Sequence, residues 1–123
     1  MTRWLLRRLG RLLLSGIFVV AGADAFRDPG PRAGKAEALG IPYPELATQV
    51  NAATMVVAGA ALALGLRTRW AAATLVGSLI PTTLAGHPYW KEEDPQARSL
   101  QRTQFLKNAG LLGGLLAVLA AEG

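Results

Sequence analysis

The chain has 123 residues, no cysteine, a single histidine and a net charge of +5, with 51% hydrophobic and 17% charged residues. That length allows one domain, and the missing cysteines exclude disulfides, thiolate metal sites and thiol redox chemistry. One histidine argues against a protein-only transition-metal site, so no metal ligands are assigned, and any redox step needs a bound cofactor or another subunit. The basic residues do not form a nucleic-acid stripe. Arg3, Arg7, Arg8 and Arg11 precede the first apolar segment, and Arg67 and Arg69 separate the second from the third. Such clusters flanking apolar spans set topology and touch lipid headgroups, so nucleic acid is not an expected partner.

In chain order, the first apolar segment predicts a helix over about 9–26. Its core, Leu12–Val20 followed by Ala21-Gly22-Ala23, also fits a cleavable secretory signal with a small-residue cleavage site. A breaker-rich loop follows, with Asp28-Pro29-Gly30-Pro31, Gly34, Gly40 and Pro42-Tyr43-Pro44, and room for a short helix from Arg32 to Leu39. The second and third helices are predicted over about 46–66 and 69–87. Their connection, Arg67-Thr68-Arg69, is so short that they must form an antiparallel hairpin. Pro81 removes a hydrogen bond to the Gly77 carbonyl and bends the third helix, with Thr82 and Thr83 beside it to satisfy freed groups. After Gly86 the chain passes through His87, the aromatic pair Tyr89-Trp90 and the charges Lys91-Glu92-Glu93-Asp94. That is the order of a chain leaving a bilayer. Asp94-Pro95 is a helix-start signal, and the fourth apolar helix is predicted over about 103–121.

Val50–Leu66 and Trp70–Gly86 carry no charge on any face apart from the flanking arginines. A soluble bundle would show a charged stripe there. Each apolar segment approaches the ~20 residues that cross a hydrocarbon core. The expected fold is therefore all-α, an integral membrane up-down four-helix bundle forming a single domain over residues 1–123. Arginine density near the membrane ends favours both termini in the cytoplasm. Gly110 and Gly114, and the Gly59/Ala63 and Ala61/Gly65 pairs, are small-xxx-small signals for close helix approach.

An up-down arrangement gathers the polar residues bordering the spans on the non-cytoplasmic side: Asp24, Asn51, His87, Trp90, Lys107 and Asn108. In a structural reading, Asp24 pairs with Lys107, Asn51 bridges helices and His87 caps the third helix. In a functional reading, the same groups line a shallow pocket for a quinone, lipid or other amphipathic ligand, with His87 exchanging protons near neutral pH. Arg98, Arg102 and Gln104 are solvated positions within reach of an anionic ligand. The mid-membrane parts of the helices lack ionisable groups, which weakens a transporter or channel reading.

At these residues the chain resembles the DoxX family of small bacterial membrane proteins. The resemblance is carried by Phe18-Val19-Val20-Ala21-Gly22-Ala23-Asp24-Ala25-Phe26-Arg27-Asp28-Pro29, by Asn51, Gly59 and Leu64-Gly65, and by Pro81-Thr82-Thr83-Leu84-Ala85-Gly86-His87 with Trp90. Phe105-Leu106-Lys107-Asn108 and Leu112-Gly113-Gly114-Leu115-Leu116 complete it. The resemblance implies an integral four-helix bundle of the inner membrane with cytoplasmic termini and an uncleaved first segment. It also implies an accessory or scaffold subunit of a membrane redox or stress-related assembly, with redox proteins or further copies of the chain as partners. The alternative is an oxidoreductase subunit that binds quinone or lipid at the non-cytoplasmic leaflet. The family carries no established catalytic residues to this sequence, so none is assigned and enzymatic activity stays open.

Overall fold

The computed structural model describes residues 2–122. They form five α-helices: α1 (Arg3–Arg27), α2 (Gly30–Ala38), α3 (Pro44–Leu64), α4 (Thr68–Gly86) and α5 (Pro95–Glu122). A single 3-10 turn, Tyr89–Lys91, joins α4 to α5, and no strand occurs among the described residues. The all-helical expectation holds, but with four long helices and a short fifth rather than four alone. Several boundaries also move, each for a local chemical reason.

The first helix begins at Arg3 rather than near residue 9, because the Thr2 hydroxyl accepts a hydrogen bond from the Leu5 amide at 3.3 Å and caps it. The breaker-rich loop folds into α2 because Pro31 sits in its first turn, where a missing N–H costs nothing. The last helix starts at Pro95 rather than near 103. The Asp94 carboxylate accepts from the Ala97 amide at 3.0 Å, and the polar run up to Arg102 continues the helix that this cap starts. At the other end of the hairpin, Gly65 takes up a left-handed conformation with φ 73°, and the Leu66 amide returns to the Ala61 carbonyl at 2.8 Å. This glycine closes α3 where a side chain would be strained.

Cross-helix contacts run in opposite directions along each neighbouring pair, so the neighbours are antiparallel. Gly22 abuts Ala52 and Met55, Gly59 abuts Phe18 and Val19, and Arg11 lies beside Gly65, which orders α1 against α3. Asn51 meets Ser78 and Thr82 between α3 and α4, and Asn108 meets Thr83 between α4 and α5. α5 returns to touch α1, while α2 lies across α3 and reaches α4. The shared core comprises Phe18, Met55, Ala58, Leu62, Ala71, Ala72, Leu75, Leu79 and Leu115.

Three helices, α1, α3 and α5, are long and apolar enough to cross a membrane. α4, of 19 residues, is not among them, and its Ser78 and Thr83 are buried inside the protein. The exposed Arg69 in its first turn lowers its hydropathy most, and the polar Ser78 and Thr83 are turned toward neighbouring helices. The outward faces are apolar: Leu13 is 80% exposed, Val57 69% and Trp70 69%. Exposed apolar area on this scale marks a surface that meets something other than water.

The small-residue signals are used selectively. A Cβ at Gly59 would stand 3.0 Å from Val19 Cγ2, so that glycine serves close approach, whereas nothing lies within 4 Å of a Cβ at Gly110. The tightest approach is at Gly22, inside the Ala21-Gly22-Ala23 run that fits a cleavage site.

Candidate functional site

The C-terminal half of α1, the start of α3, the end of α4 and the middle of α5 surround a cavity of about 540 Å³, flanked by α2. Four of the six residues singled out in the sequence line it together: Asn51, His87, Lys107 and Asn108. Asp24 is exposed and Trp90 half-exposed, and neither is a lining residue. Its floor is apolar, with Ile17, Phe18, Met55, Leu79 and Leu111, and its volume falls within the ~300–1,000 Å³ of small-molecule sites.

Polar order along one wall comes from two adjacent threonines on α4. Thr82 donates its hydroxyl proton to the Ser78 carbonyl at 2.7 Å, and Thr83 donates to the Leu79 carbonyl at 2.7 Å. The carbonyls they satisfy are therefore those of Ser78 and Leu79, not that of Gly77 opposite Pro81. Each hydroxyl oxygen keeps lone pairs and accepts an amide proton from another helix. Asn51 Nδ2 on α3 donates to Thr82 Oγ1 at 3.2 Å, and Asn108 Nδ2 on α5 donates to Thr83 Oγ1 at 3.0 Å. The Asn51 carbonyl oxygen also accepts from the Ser78 hydroxyl at 2.6 Å.

His87 follows the last residue of α4, and its backbone amide returns to the Thr83 carbonyl. Its ring lies 2.7 Å from Gln101 on α5, between Nδ1 and Oε1. With that oxygen accepting, Nδ1 carries the proton and Nε2 keeps a lone pair. Burial holds the imidazole below its ordinary pKa. The Gln101 bond opposes this, and the positive charges of Lys35, Lys107 and Arg32 reinforce it. His87 is thus neutral at physiological pH, able to accept a hydrogen bond or a proton at Nε2.

The depressed value sets a direction for stability. Between the folded and the ordinary pKa the unfolded chain binds more protons, so stability rises with pH through that window and falls on acidification. Lowering the pH from about 7.5 to about 5.5 should therefore weaken the detergent-solubilised protein as the histidine titrates. His87→Gln should flatten this part of the profile, read as unfolding midpoint against pH. An unchanged slope in the variant would remove the histidine as its source.

The ion pair expected between Asp24 and Lys107 does not form. Lys107 Nζ donates instead to Gln104 Oε1 one turn back on α5, at 2.8 Å. Trp90 serves elsewhere. With Tyr89 and Phe105 it builds an edge-to-face trio, ring centroids 5.3 to 5.8 Å apart, that fastens the 3-10 turn to α5. Arg98 and Arg102 are exposed and do not line the cavity, whereas Arg32 and Lys35, from the short α2, do. Sequence reasoning missed those two. Their signal was the spacing of Arg32, Lys35 and Ala36, which puts three residues on one helical face.

Residues 6–88 match the DoxX family. The chain belongs to the DoxX family. The match takes in α1, α2, α3 and α4 and ends at Pro88, so the α5 residues of the cavity in this DoxX protein, Lys107, Asn108 and Leu111, lie beyond it. No curated protein and no solved structure matches the chain. Family membership and the three apolar helices mark a membrane protein.

Proposed function

We propose that this DoxX protein crosses the bacterial inner membrane four times, with both termini in the cytoplasm, and binds an amphipathic small molecule at the non-cytoplasmic end of its bundle. The observation that carries the reading is the cavity of about 540 Å³, apolar in its floor and polar at its mouth. Four crossings are supported by α1, α3, α4 and α5, each near the length a bilayer requires. The aromatic residues fit the same frame. Trp4 and Trp70 stand at one end, and Tyr43, Tyr89 and Trp90 at the other, as at two headgroup layers. Arg3, Arg7, Arg8, Arg11, Arg67 and Arg69 crowd the first end, which supports its cytoplasmic assignment.

Quinones and lipids both suit such a site, as each has an apolar tail and a polar head. A quinone would meet hydrogen-bond donors and His87, a group able to exchange a proton. The accessory-subunit reading rests on the family resemblance, and the cavity moves the balance toward a protein with its own ligand.

Purification in mild detergent, with mass spectrometry of the bound lipids and quinones, tests this. About one ligand per chain is expected. Ala85→Trp, which fills the cavity from α4, should remove it, and Ala73→Trp on an exposed face should not. A wild-type protein that carries partner proteins but no small molecule would return the reading to an accessory subunit.

A further inference from the structure

Three cations line the cavity, Arg32 and Lys35 from α2 and Lys107 from α5, and no aspartate or glutamate does. Two of them rest on neutral acceptors. Lys35 Nζ donates to the Gly86 carbonyl at the end of α4, and Lys107 Nζ donates to Gln104, both at 2.8 Å. None of the three has an ion-pair partner among the described residues. Each ammonium therefore keeps two further protons to donate, and the Arg32 guanidinium offers a planar fork of donors. All three side chains are exposed, so they stand at the mouth, while Ile17, Phe18, Met55, Leu79 and Leu111 lie in the floor. Like charges brought together repel one another, and a bound anion relieves that repulsion. Their joint effect on His87 is a second sign that all three act on one small volume.

We propose that the cavity binds an anionic amphiphile, a molecule with a phosphate or carboxylate head held by Arg32, Lys35 and Lys107 and an alkyl chain lying over the Ile17–Leu111 floor. This rests on the ligand-binding reading above and narrows it. A neutral head leaves the three charges unmatched, whereas a phosphate accepts from the arginine fork and both ammonium groups at once. Lys35 has a double place in the arrangement, since it ties α2 to the last turn of α4 and presents its remaining protons to the head.

Titration of the detergent-solubilised protein with four probes, followed by native mass spectrometry, tests the proposal: dodecyl phosphate, dodecanoate, dodecanol and inorganic phosphate. One dodecyl phosphate or dodecanoate per chain is expected, at least about tenfold tighter than dodecanol, a difference that one charge-assisted contact can supply. The comparison of phosphate with carboxylate identifies the preferred head. Inorganic phosphate should not displace either chain at equal concentration. Arg32→Gln and Lys107→Gln, each leaving the Lys35 tether intact, should each weaken the anionic chains severalfold and leave dodecanol unchanged.

Equal binding of dodecanol and dodecyl phosphate would overturn the charge preference while leaving an amphipathic site in place. So would variants that keep the full preference, whereas displacement by inorganic phosphate alone would overturn the part given to the alkyl chain and leave a simple anion site. If no chain binds and Ala85→Trp changes nothing, the ligand-binding reading itself falls.

Discussion

Gly22→Ala is expected to destabilise the protein by about 1–3 kcal/mol, and Gly22→Leu by more, because α1 and α3 meet at this residue without room for a side chain. A Cβ at Gly22 would stand 2.9 Å from the Ala52 carbonyl oxygen, 2.9 Å from Val56 Cγ2 and 3.1 Å from Met55 Cβ. The valine methyl can rotate away. The carbonyl oxygen belongs to the α3 backbone and moves only if the helix moves, which opens the contact that begins the core at Phe18 and Met55. Alanine also gains roughly 1 kcal/mol of helix propensity over glycine, so a net loss means that the clash outweighs that gain. Gly110→Ala is the matched control. Its Cβ meets nothing within 4 Å, so only the propensity gain remains and stability should rise. Denaturant unfolding in micelles measures both, and equal gains at the two positions would sink the close approach of α1 and α3.

Asn51→Leu is the second large effect expected, at about 1–3 kcal/mol, since it strips a half-buried partner from two hydroxyls at once. Ser78 loses its acceptor at 2.6 Å and Thr82 loses its amide donor at 3.2 Å. Adding Ser78→Ala to the variant removes the orphaned hydroxyl, and part of the stability should return, because replacing both partners of a buried bond costs less than removing one. A double variant as weak as Asn51→Leu alone would mean that the bond contributes little and that the asparagine acts by shape. Hydrogen bonds between helices in lipid average nearer 0.6 kcal/mol, so a loss above 1 kcal/mol would point to the orphaned hydroxyls rather than to the bond itself.

Much of the fold was legible because apolar runs bounded by arginine and by Gly-Pro clusters mark the four long helices, though not where α1 and α5 begin. The hairpin of α3 and α4 followed from a connection too short for anything else. What the sequence hid were effects carried by single polar atoms. Asp94-Pro95 was legible as a helix start and 32–39 as a short helix, but not that the helix Asp94 caps runs unbroken into the apolar span. The grouping of Asn51, His87, Lys107 and Asn108 was visible from the up-down order alone, since it needed only to know which helix ends are neighbours. The Asp24–Lys107 pairing was not, because a nearby Gln104 on the same helix meets the ammonium more easily than a carboxylate on another helix. Arg32 and Lys35 escaped notice for a related reason: until α2 is known to lie across α3, nothing places a loop cation at the cavity.

The two threonine bonds on α4 have a mechanical consequence. Successive residues of a helix point about 100° apart, so Asn51 and Asn108 hold α4 from two different azimuths. Rolling the helix about its axis in either sense stretches at least one of the two bonds, and the pair acts as a rotational stop one turn before His87. Its orientation is thus locked beside Pro81, the position where a helix would otherwise bend or swivel most readily. A ligand entering the cavity would then not be admitted by a turning α4. The yielding wall would be the short α2, held to the end of α4 by the single bond from Lys35 to Gly86.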